Sequence, residues 1–444
     1  MFKKSMLLII FLIASGCTKD KGPDPWMDSG IDSGTDTETD TESESESDTG
    51  ENETPPDLPS DCSATSVNIE TSGTGDGRAP SVAHNSETLM TWAYDDAGTA
   101  VPSSWRIQAA TFASDGGVSV QQPMSATIIS KEPSMASRAG TFGAVWLDSR
   151  WDTACTANLQ NNCHLDIAFM RFDPAGIPDN TTPFRITEVA NIRTRPAIVG
   201  TDDGWLVAWA QPDTADTGTM MAVALPATGD PGGSVPTPIQ VSDIEGVNLP
   251  TISIAAVGTT AVIVWLAEGQ QEIMARKLNL DATTSGDAFA IDEGLSVIGP
   301  AIVSGADDFL VSWSRRTVDD FEVYTRILDE SGSPTGDMNR ATWTVDNIMG
   351  SQPAWSGSSF ALLWLSNRDN GAQECYDPAC EDQVFVAELD ELGAPRTAAV
   401  QLSNNPNPCA FPALSWDGIG WTALWELRRN MRQQIVRGRM TCGL

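Results

Sequence analysis

Four arginines stand out in this chain because each lies three or four residues after a tryptophan. The two clearest copies are Trp146-Leu-Asp-Ser-Arg150 and Trp364-Leu-Ser-Asn-Arg368, and the other two arginines are Arg316 and Arg429. A guanidinium presents its N–H donors in a planar fork, so arginines collected on one surface would form an anion-binding ring. The same groups would serve structure instead if each stacked on a tryptophan and paired with a neighbouring carboxylate, such as Asp148, Asp152 or Asp369. The sequence leaves both interpretations open.

Carboxylates in the same loops are the candidate general acids and bases of the chain. Asp148, Asp369 and Asp382 are of the residue type that cleaves glycosidic bonds when two carboxylates flank a substrate. Motifs for other chemistry are absent from the sequence, including the GxSxG nucleophile turn and the HExxH zinc helix. Neither His84 nor His164 has a recognisable triad context. We therefore identify no catalytic residue and expect no cofactor and no metal.

The arginines and carboxylates are carried by a repeat in which a proline precedes a tryptophan by 11 to 15 residues. Successive prolines are 50 to 63 residues apart. The seven copies are Pro80/Trp92, Pro133/Trp146, Pro196/Trp209, Pro250/Trp265, Pro300/Trp313, Pro353/Trp364 and Pro412/Trp425. Self-similarity at such a period is typical of solenoids, propellers and arrays.

Each repeat has the pattern of four β-strands. In the second repeat an apolar run over 142–146 ends on the tryptophan, and an alternating run follows over 166–172. An Asp173/Gly176 turn and a short strand over 184–187 complete the unit. Four strands in about 50 residues indicate a propeller blade, so we predict an all-β, seven-bladed β-propeller. The tryptophan is then expected to pack between blades.

The number of strands indicates how the ring closes. The seventh repeat ends after its third strand, residues 434–440, and one extra strand, residues 66–71, precedes the first repeat. We expect this N-terminal strand to complete the last blade, because an open ring would leave unpaired edges. Cys62 and Cys442 lie at ends that would meet in an antiparallel pair. We therefore predict a Cys62–Cys442 disulfide, which the chain-entropy account values at about 4–5 kcal/mol.

The other cysteines of the repeats lie close together in sequence. Cys155 and Cys163 share one loop, and Cys375 and Cys380 share another, so each pair is a candidate local disulfide. Cys409 is left over, and it is either buried and reduced or a competitor for Cys375 or Cys380. Zinc is the alternative role for these thiols, but no paired CxxC spacing is present.

Charge excludes several kinds of partner. The formal net charge is −34, and residues 62–444 carry −23 of it with 45 acidic and 22 basic residues. Nucleic acids and anionic membrane surfaces require a basic footprint, so we expect no nucleic-acid partner.

The N-terminus has the pattern of an export signal. Lys3 and Lys4 precede an apolar run over 6–13 that is too short to span a bilayer, and small residues lead to Cys17. The Ala-Ser-Gly-Cys17 sequence resembles a bacterial lipobox. The resemblance implies cleavage before Cys17 and acylation of Cys17, such as palmitoylation, which would anchor the chain in a membrane. Thr18, which is not acidic, implies the outer membrane.

Residues 18–61 are a low-complexity acidic segment. They contain 15 acidic residues and two lysines among repeated Asp, Thr, Glu and Ser. Such a segment has too few apolar groups to fold, so we predict a disordered tether with an end-to-end distance of about 35–40 Å. Binding of divalent cations is the alternative role, although no fixed ligand spacing supports it.

The seven repeats resemble the divergent β-propeller repeats of secreted bacterial proteins. Most of the likeness is carried by Asp148-Ser-Arg150 and the strand over 166–171. The whole chain resembles bacterial surface lipoproteins with an acidic spacer. That resemblance implies a signal peptide over 1–16, a lipidated tether over 17–61 and a propeller over 62–444, exported and anchored at the outer membrane or cell surface.

The function that this organisation favours is binding. We expect a binding or scaffold module for an extracytoplasmic protein or glycan. The alternatives are a glycan-acting enzyme and a structural component of the envelope.

Overall fold

The computed structural model describes most of the chain from residue 55 to residue 443. The described residues are 55–69, 76–95, 105–112, 118–120, 124, 129–153, 155, 163–188, 192, 194–212, 217–245, 252–267, 272–292, 294, 296–317, 321–343, 348–366, 383–404, 409–429 and 432–443. The chain divides into two compact units. Almost all of the described residues belong to the larger unit, which comprises residues 58–375 together with 379–444. The described residues contain no helix that is long and apolar enough to cross a membrane.

The described residues form 28 strands in seven four-stranded sheets. Blades 1 to 3 comprise β2 (Asp76–His84), β3 (Thr88–Asp95), β4 (Trp105–Phe112), β5 (Val118–Val120), β6 (Ser130–Arg138), β7 (Thr141–Asp148), β8 (Asp166–Phe172), β9 (Phe184–Arg185), β10 (Ala197–Gly200), β11 (Gly204–Pro212), β12 (Thr217–Pro226) and β13 (Ile239–Glu245). Blades 4 and 5 comprise β14 (Ile252–Val257), β15 (Thr260–Leu266), β16 (Ile273–Asn279), β17 (Phe289–Asp292), β18 (Val297–Ser304), β19 (Asp308–Arg316), β20 (Phe321–Asp329) and β21 (Pro334–Arg340). Blades 6 and 7 comprise β22 (Ile348–Trp355), β23 (Phe360–Ser366), β24 (Gln383–Leu389), β25 (Val400–Gln401), β26 (Cys409–Trp416), β27 (Trp421–Arg429), β28 (Arg432–Cys442) and β1 (Cys62–Ile69).

The sheets are arranged as a ring. Within each blade the strands are antiparallel, and in blades 1 to 6 they follow chain order. The first strands contact one another in a closed series, β2, β6, β10, β14, β18, β22, β26 and β2 again. The first strand of each blade is therefore innermost and lines a central channel, and the fourth is outermost. The seven-bladed propeller predicted from the repeats is confirmed.

One tryptophan in each blade forms part of the packing between blades. The seven repeat indoles, Trp92, Trp146, Trp209, Trp265, Trp313, Trp364 and Trp425, are at most 4% exposed. Trp146 of blade 2 lies in an apolar cluster with Ala93 and Ile107 of blade 1. Trp425 of blade 7 lies in a cluster with Leu363 of blade 6. The apolar second strand is therefore buried between neighbouring blades, as its sequence predicted.

The proline of the repeat marks a β-bulge in the innermost strand. Four prolines are the second residue of such a bulge, namely Pro80, Pro133, Pro300 and Pro412. Blade 6 differs, because Gly350 and Ser351 form its bulge and Pro353 lies two residues further on. Pro250 lies outside the described residues. The bulge is the repeated feature in these five blades, and a proline occupies it in four of them.

The N-terminal strand completes blade 7. β1 pairs with β28 over eight residues without a register shift, from Cys62 opposite Cys442 to Ile69 opposite Ile435. It begins four residues earlier than the sequence pattern predicted. The expected Cys62–Cys442 disulfide joins its first residue to the end of β28. Closure gives every sheet four strands and pairs the free edge that β28 would otherwise present.

Turns between the third and fourth strands pack against the preceding blade. As the sequence predicted, the backbone N–H groups of Gly176, Gly332 and Gly393 donate to the carbonyls of the aspartates three residues earlier. These glycines have φ between 73° and 83°. A Cβ on Gly393 would lie 2.8 Å from Leu310 of blade 5, so this position requires glycine for its backbone conformation and for its lack of a side chain.

Removal of the closing disulfide should cost more stability than removal of the local one. Cys62–Cys442 closes 380 residues and Cys155–Cys163 closes eight. We expect the Cys62→Ser/Cys442→Ser double variant to lose about 4–5 kcal/mol of unfolding free energy, against about 2–3 kcal/mol for Cys155→Ser/Cys163→Ser. Guanidinium unfolding under non-reducing conditions measures both. Equal losses would contradict the role assigned to the long loop.

Two glycine substitutions separate backbone strain from steric crowding. Gly286 has φ +88° with open space where a Cβ would stand, whereas Gly393 has φ +83° and a crowded site. Gly286→Ala should cost about 1–2 kcal/mol for the left-handed conformation alone. Gly393→Ala should cost a further 1–3 kcal/mol or so, because blade 5 must move. Urea unfolding tests the difference, and indistinguishable midpoints would show that the turn does not press on blade 5.

Candidate functional site

The loop face is the side of the ring where second strands end and third strands begin. In blade 2, Asp148 at the end of β7 pairs with Asp166 at the start of β8 and with Ser130 at the start of β6. Antiparallel pairing therefore brings three polar residues, distant in sequence, to one edge of the blade.

Asp148 is buried and its carboxylate is saturated with donors. Oδ2 accepts hydrogen bonds from Trp146 Nε1 at 2.7 Å, from Ser130 Oγ at 3.1 Å and from the Arg150 guanidinium at 2.9 Å. Oδ1 accepts from the Arg150 backbone N–H at 2.8 Å and from its Nε at 3.0 Å. A carboxylate held in this way fixes the loop and has no lone pair directed at a substrate.

Of the two interpretations of Arg150, an anion-binding group or a structural partner of a carboxylate, the geometry fits the structural one. It pairs with Asp148, and its guanidinium lies 5.5 Å from the centre of the Trp151 ring. Arg185 lies 5.5 Å from the same ring and pairs with Asp166 at 2.7 Å. Trp151, which is partly exposed, thus lies beside two guanidiniums that are each held by a carboxylate.

The other predicted arginines do not join Arg150 in the described part of the loop face. Arg316 is exposed at the end of β19, where its backbone N–H donates to the Ser296 carbonyl at 3.0 Å. Arg368 and the side chain of Arg429 lie outside the described residues. The anion-binding ring therefore stays a prediction, and the described geometry supports the pairing interpretation at Arg150 alone.

A second polar network recurs at the start of the third strand, and the sequence reading missed it. A hydroxyl from the second residue after the fourth strand accepts the N–H of the third strand at 2.8–2.9 Å, at Thr187, Thr342 and Ser403. The same hydroxyls donate to buried side chains of the third strand, namely Asp166, Glu322 and Gln383. The signal was visible in these three blades as a Thr or Ser just after the short fourth strand.

Arg195 lies at the mouth of the central channel. Its Nε donates to the Pro133 carbonyl at 2.8 Å and its NH2 to the Pro80 carbonyl at 3.0 Å, so one side chain of blade 3 contacts blades 2 and 1. Burial lowers the pKa of Arg195 and the charge of Glu132 opposes that shift. Sequence reading did not identify this residue, because its partners are carbonyls exposed only by the inner bulges.

The predicted Cys155–Cys163 disulfide is present in the loop that follows β7. Asp152 offers a carboxylate within 4.8 Å of both sulfurs. The sulfurs are bonded to each other and are not thiolates, so they do not form a metal site with Asp152. Cys409 is buried at the start of β26. Cys17, Cys375 and Cys380 lie outside the described residues, as do Asp369 and Asp382.

Glu426 is a buried carboxylate at the contact between blade 7 and blade 1. It follows the repeat tryptophan directly, where blades 2 and 6 have Leu147 and Leu365. Oε1 accepts from Arg428 Nε at 3.0 Å, and Oε2 has no hydrogen-bond partner in the described part of the chain. Burial raises the pKa of Glu426, opposed by Arg428, Arg78 and the Ala79 N–H.

Comparison with known proteins gives a fold likeness at low identity. No family model matches the chain, and no curated protein matches it. Among solved structures it is similar to a mutant of Trypanosoma rangeli sialidase displaying trans-sialidase activity, with 10% identity over 86% of this chain and a TM-score of 0.48. It is also similar to a point mutant of NanB sialidase from Streptococcus pneumoniae, with 10% identity over 84% of this chain, 70% of that chain and a TM-score of 0.42. The chain spans 59% of the length of the first of these structures.

Glu426 should make the stability of the ring depend on pH. A carboxyl whose pKa is raised by folding favours the folded state when protonated, and this contribution is lost as the pH rises through the raised pKa. Glu426→Gln should therefore melt at a higher temperature than the wild type at pH 7.5, and the difference should vanish by pH 4. Glu188→Gln is the control, because its carboxylate is 65% exposed on the same face. Parallel melting profiles for Glu426→Gln and wild type would contradict this assignment.

Proposed function

We propose that the chain is a binding or scaffold module that presents its loop face to an extracytoplasmic protein or glycan. The observation that carries this proposal is the use of three buried carboxylates on that face. Asp148, Asp166 and Glu322 each accept hydrogen bonds and pair with an arginine of their own blade. Groups committed in this way hold a surface rigid and are poorly suited to exchange protons with a substrate.

Rigidity favours recognition because little ordering entropy is lost when a ligand binds. The loop face combines fixed charges with partly exposed aromatic rings, since Trp151 and Trp343 each lie beside an arginine. Tryptophan and arginine are the residues enriched where binding energy concentrates.

We further propose that the module is exported and attached to the cell envelope. Lipidation of Cys17 would provide the anchor, and the acidic segment over 18–61 would act as the spacer. The net charge of −23 on residues 62–444 would keep the propeller away from an anionic bilayer and leave its faces accessible. An outer-membrane or cell-surface location is part of this proposal.

The test uses the full chain produced with its own N-terminus in a Gram-negative host. Wild type should fractionate with membranes and Cys17→Ala should not. The purified chain should bind a glycan or an envelope protein saturably, without releasing reducing sugar from the bound glycans. Trp151→Ala should weaken that binding, and Trp355→Ala, at a first-to-second-strand turn on the opposite side, serves as control.

Three outcomes would contradict the proposal. Release of reducing sugar would establish the glycan-acting alternative. Absence of any ligand would favour a structural envelope component. Recovery of the wild type in the soluble fraction would contradict the anchoring of the chain through Cys17.

A further inference from the structure

The innermost strands carry unusual backbone conformations at the mouth of the channel. In five blades the first residue of the bulge has positive φ: Ala79 at 49°, Glu132 at 56°, Gly299 at 62°, Gly350 at 69° and Phe411 at 50°. Glycine adopts this conformation without strain, as it does in blades 5 and 6. A bulky residue there is a rare and strained outlier.

Phe411 carries this strain without contributing to the described core. Its side chain is 36% exposed, and it belongs to none of the apolar clusters that join the blades. β26 is flanked by β27, by β22 and by β2, so solvent reaches Phe411 from the channel mouth. Glycine at the same position of blade 6 shows that the bulge does not require an aromatic ring.

The mouth is asymmetric around the ring. On the side of blades 1 to 3, Arg195 covers the carbonyls of Pro80 and Pro133. On the side of blades 5 to 7 the equivalent positions are Gly299 and Gly350, which have no side chain, followed by Phe411. First strands pair on one edge only, so their other edge presents backbone N–H and C=O groups to the channel.

We propose that this mouth binds an uncharged sugar ring, with Phe411 as its stacking surface. The inference rests on the proposed binding function and names its site and ligand class. A sugar ring has an apolar C–H face that an aromatic side chain covers and hydroxyls that both donate and accept. The strand edges over Gly299 and Gly350 supply both kinds of partner, and the Glu132 side chain supplies a charged acceptor.

The charge of the site selects against an acidic sugar. Arg195 already donates to two carbonyls, and Glu132 stands beside it, so this guanidinium is engaged by the protein itself and not by a carboxylate ligand. The net charge of −23 on residues 62–444 adds long-range repulsion of anions. An extended peptide is the competing ligand for the strand edges, and the experiment includes it as an outcome.

The experiment measures binding of the full chain to an array of immobilised uncharged oligosaccharides, sialylated oligosaccharides and extended peptides, with Kd of the best ligand determined by calorimetry. Wild type should bind uncharged sugars with an affinity that 0.5 M NaCl leaves unchanged. Phe411→Ala should weaken binding about tenfold, because it removes the stacking ring. Leu392→Ala and Ile419→Ala remove apolar side chains that are each 65% exposed on the opposite face, and should bind like wild type.

The outcomes separate this site from the function it rests on. If wild type binds a glycan and Phe411→Ala binds equally well while melting like wild type, the channel site is wrong and the binding function stands. If sialylated glycans are the only ligands, or if wild type binds peptides and no sugar, the ligand class is wrong. If neither glycan nor protein binds, both proposals fail.

Discussion

Closure of the ring by β1 is the interaction on which the other features of this propeller depend. The last of the seven sheets has the four strands of its neighbours only because β1 is added to it. β28 ends the chain's repeats, and its outer edge is paired by β1 over eight residues. The strand that enters the ring first thereby holds the strand that enters last, and the Cys62–Cys442 bond fixes the pairing at one end. Without this pairing, blade 7 would be a three-stranded sheet with an open edge.

The closed ring in turn determines how charge is buried. Asp148 and Glu322 are fully buried on the loop face, and each is matched by an arginine and a hydroxyl that another strand of the same blade supplies. Such matching makes buried carboxylates tolerable, since an unpaired one would cost several kcal/mol. Glu426 at the closing contact of blades 7 and 1 is matched less completely, because its Oε2 has no hydrogen-bond partner in the described part of the chain. The same face is rigid in blades 2 and 5, where the networks are saturated.

Much of the architecture could be predicted from the sequence because it rests on periodic patterns. The blades were predicted from the apolar runs that end on tryptophan and from the Asp/Gly turns. The closing strand and the cysteine pair were predicted because the seventh repeat lacks its own fourth strand. The inner bulges could not be predicted, because Ala79, Glu132 and Phe411 adopt conformations that oppose their own preferences and exist only under the constraint of the ring. The network around Glu322 was missed for a related reason. Its partner Thr342 is visible in the sequence, but it is 20 residues away, and only the strand register shows that it contacts Glu322.

The central claim is that β1 pairs with β28 and closes the ring, and native-state hydrogen exchange read by mass spectrometry tests it most directly. In the oxidised protein, amides of residues 62–69 should exchange as slowly as those of β13, an outer strand of similar length that is paired within its own blade. Exchange of residues 62–69 at the rate of an unfolded peptide, while the other blades stay protected, would contradict the claim.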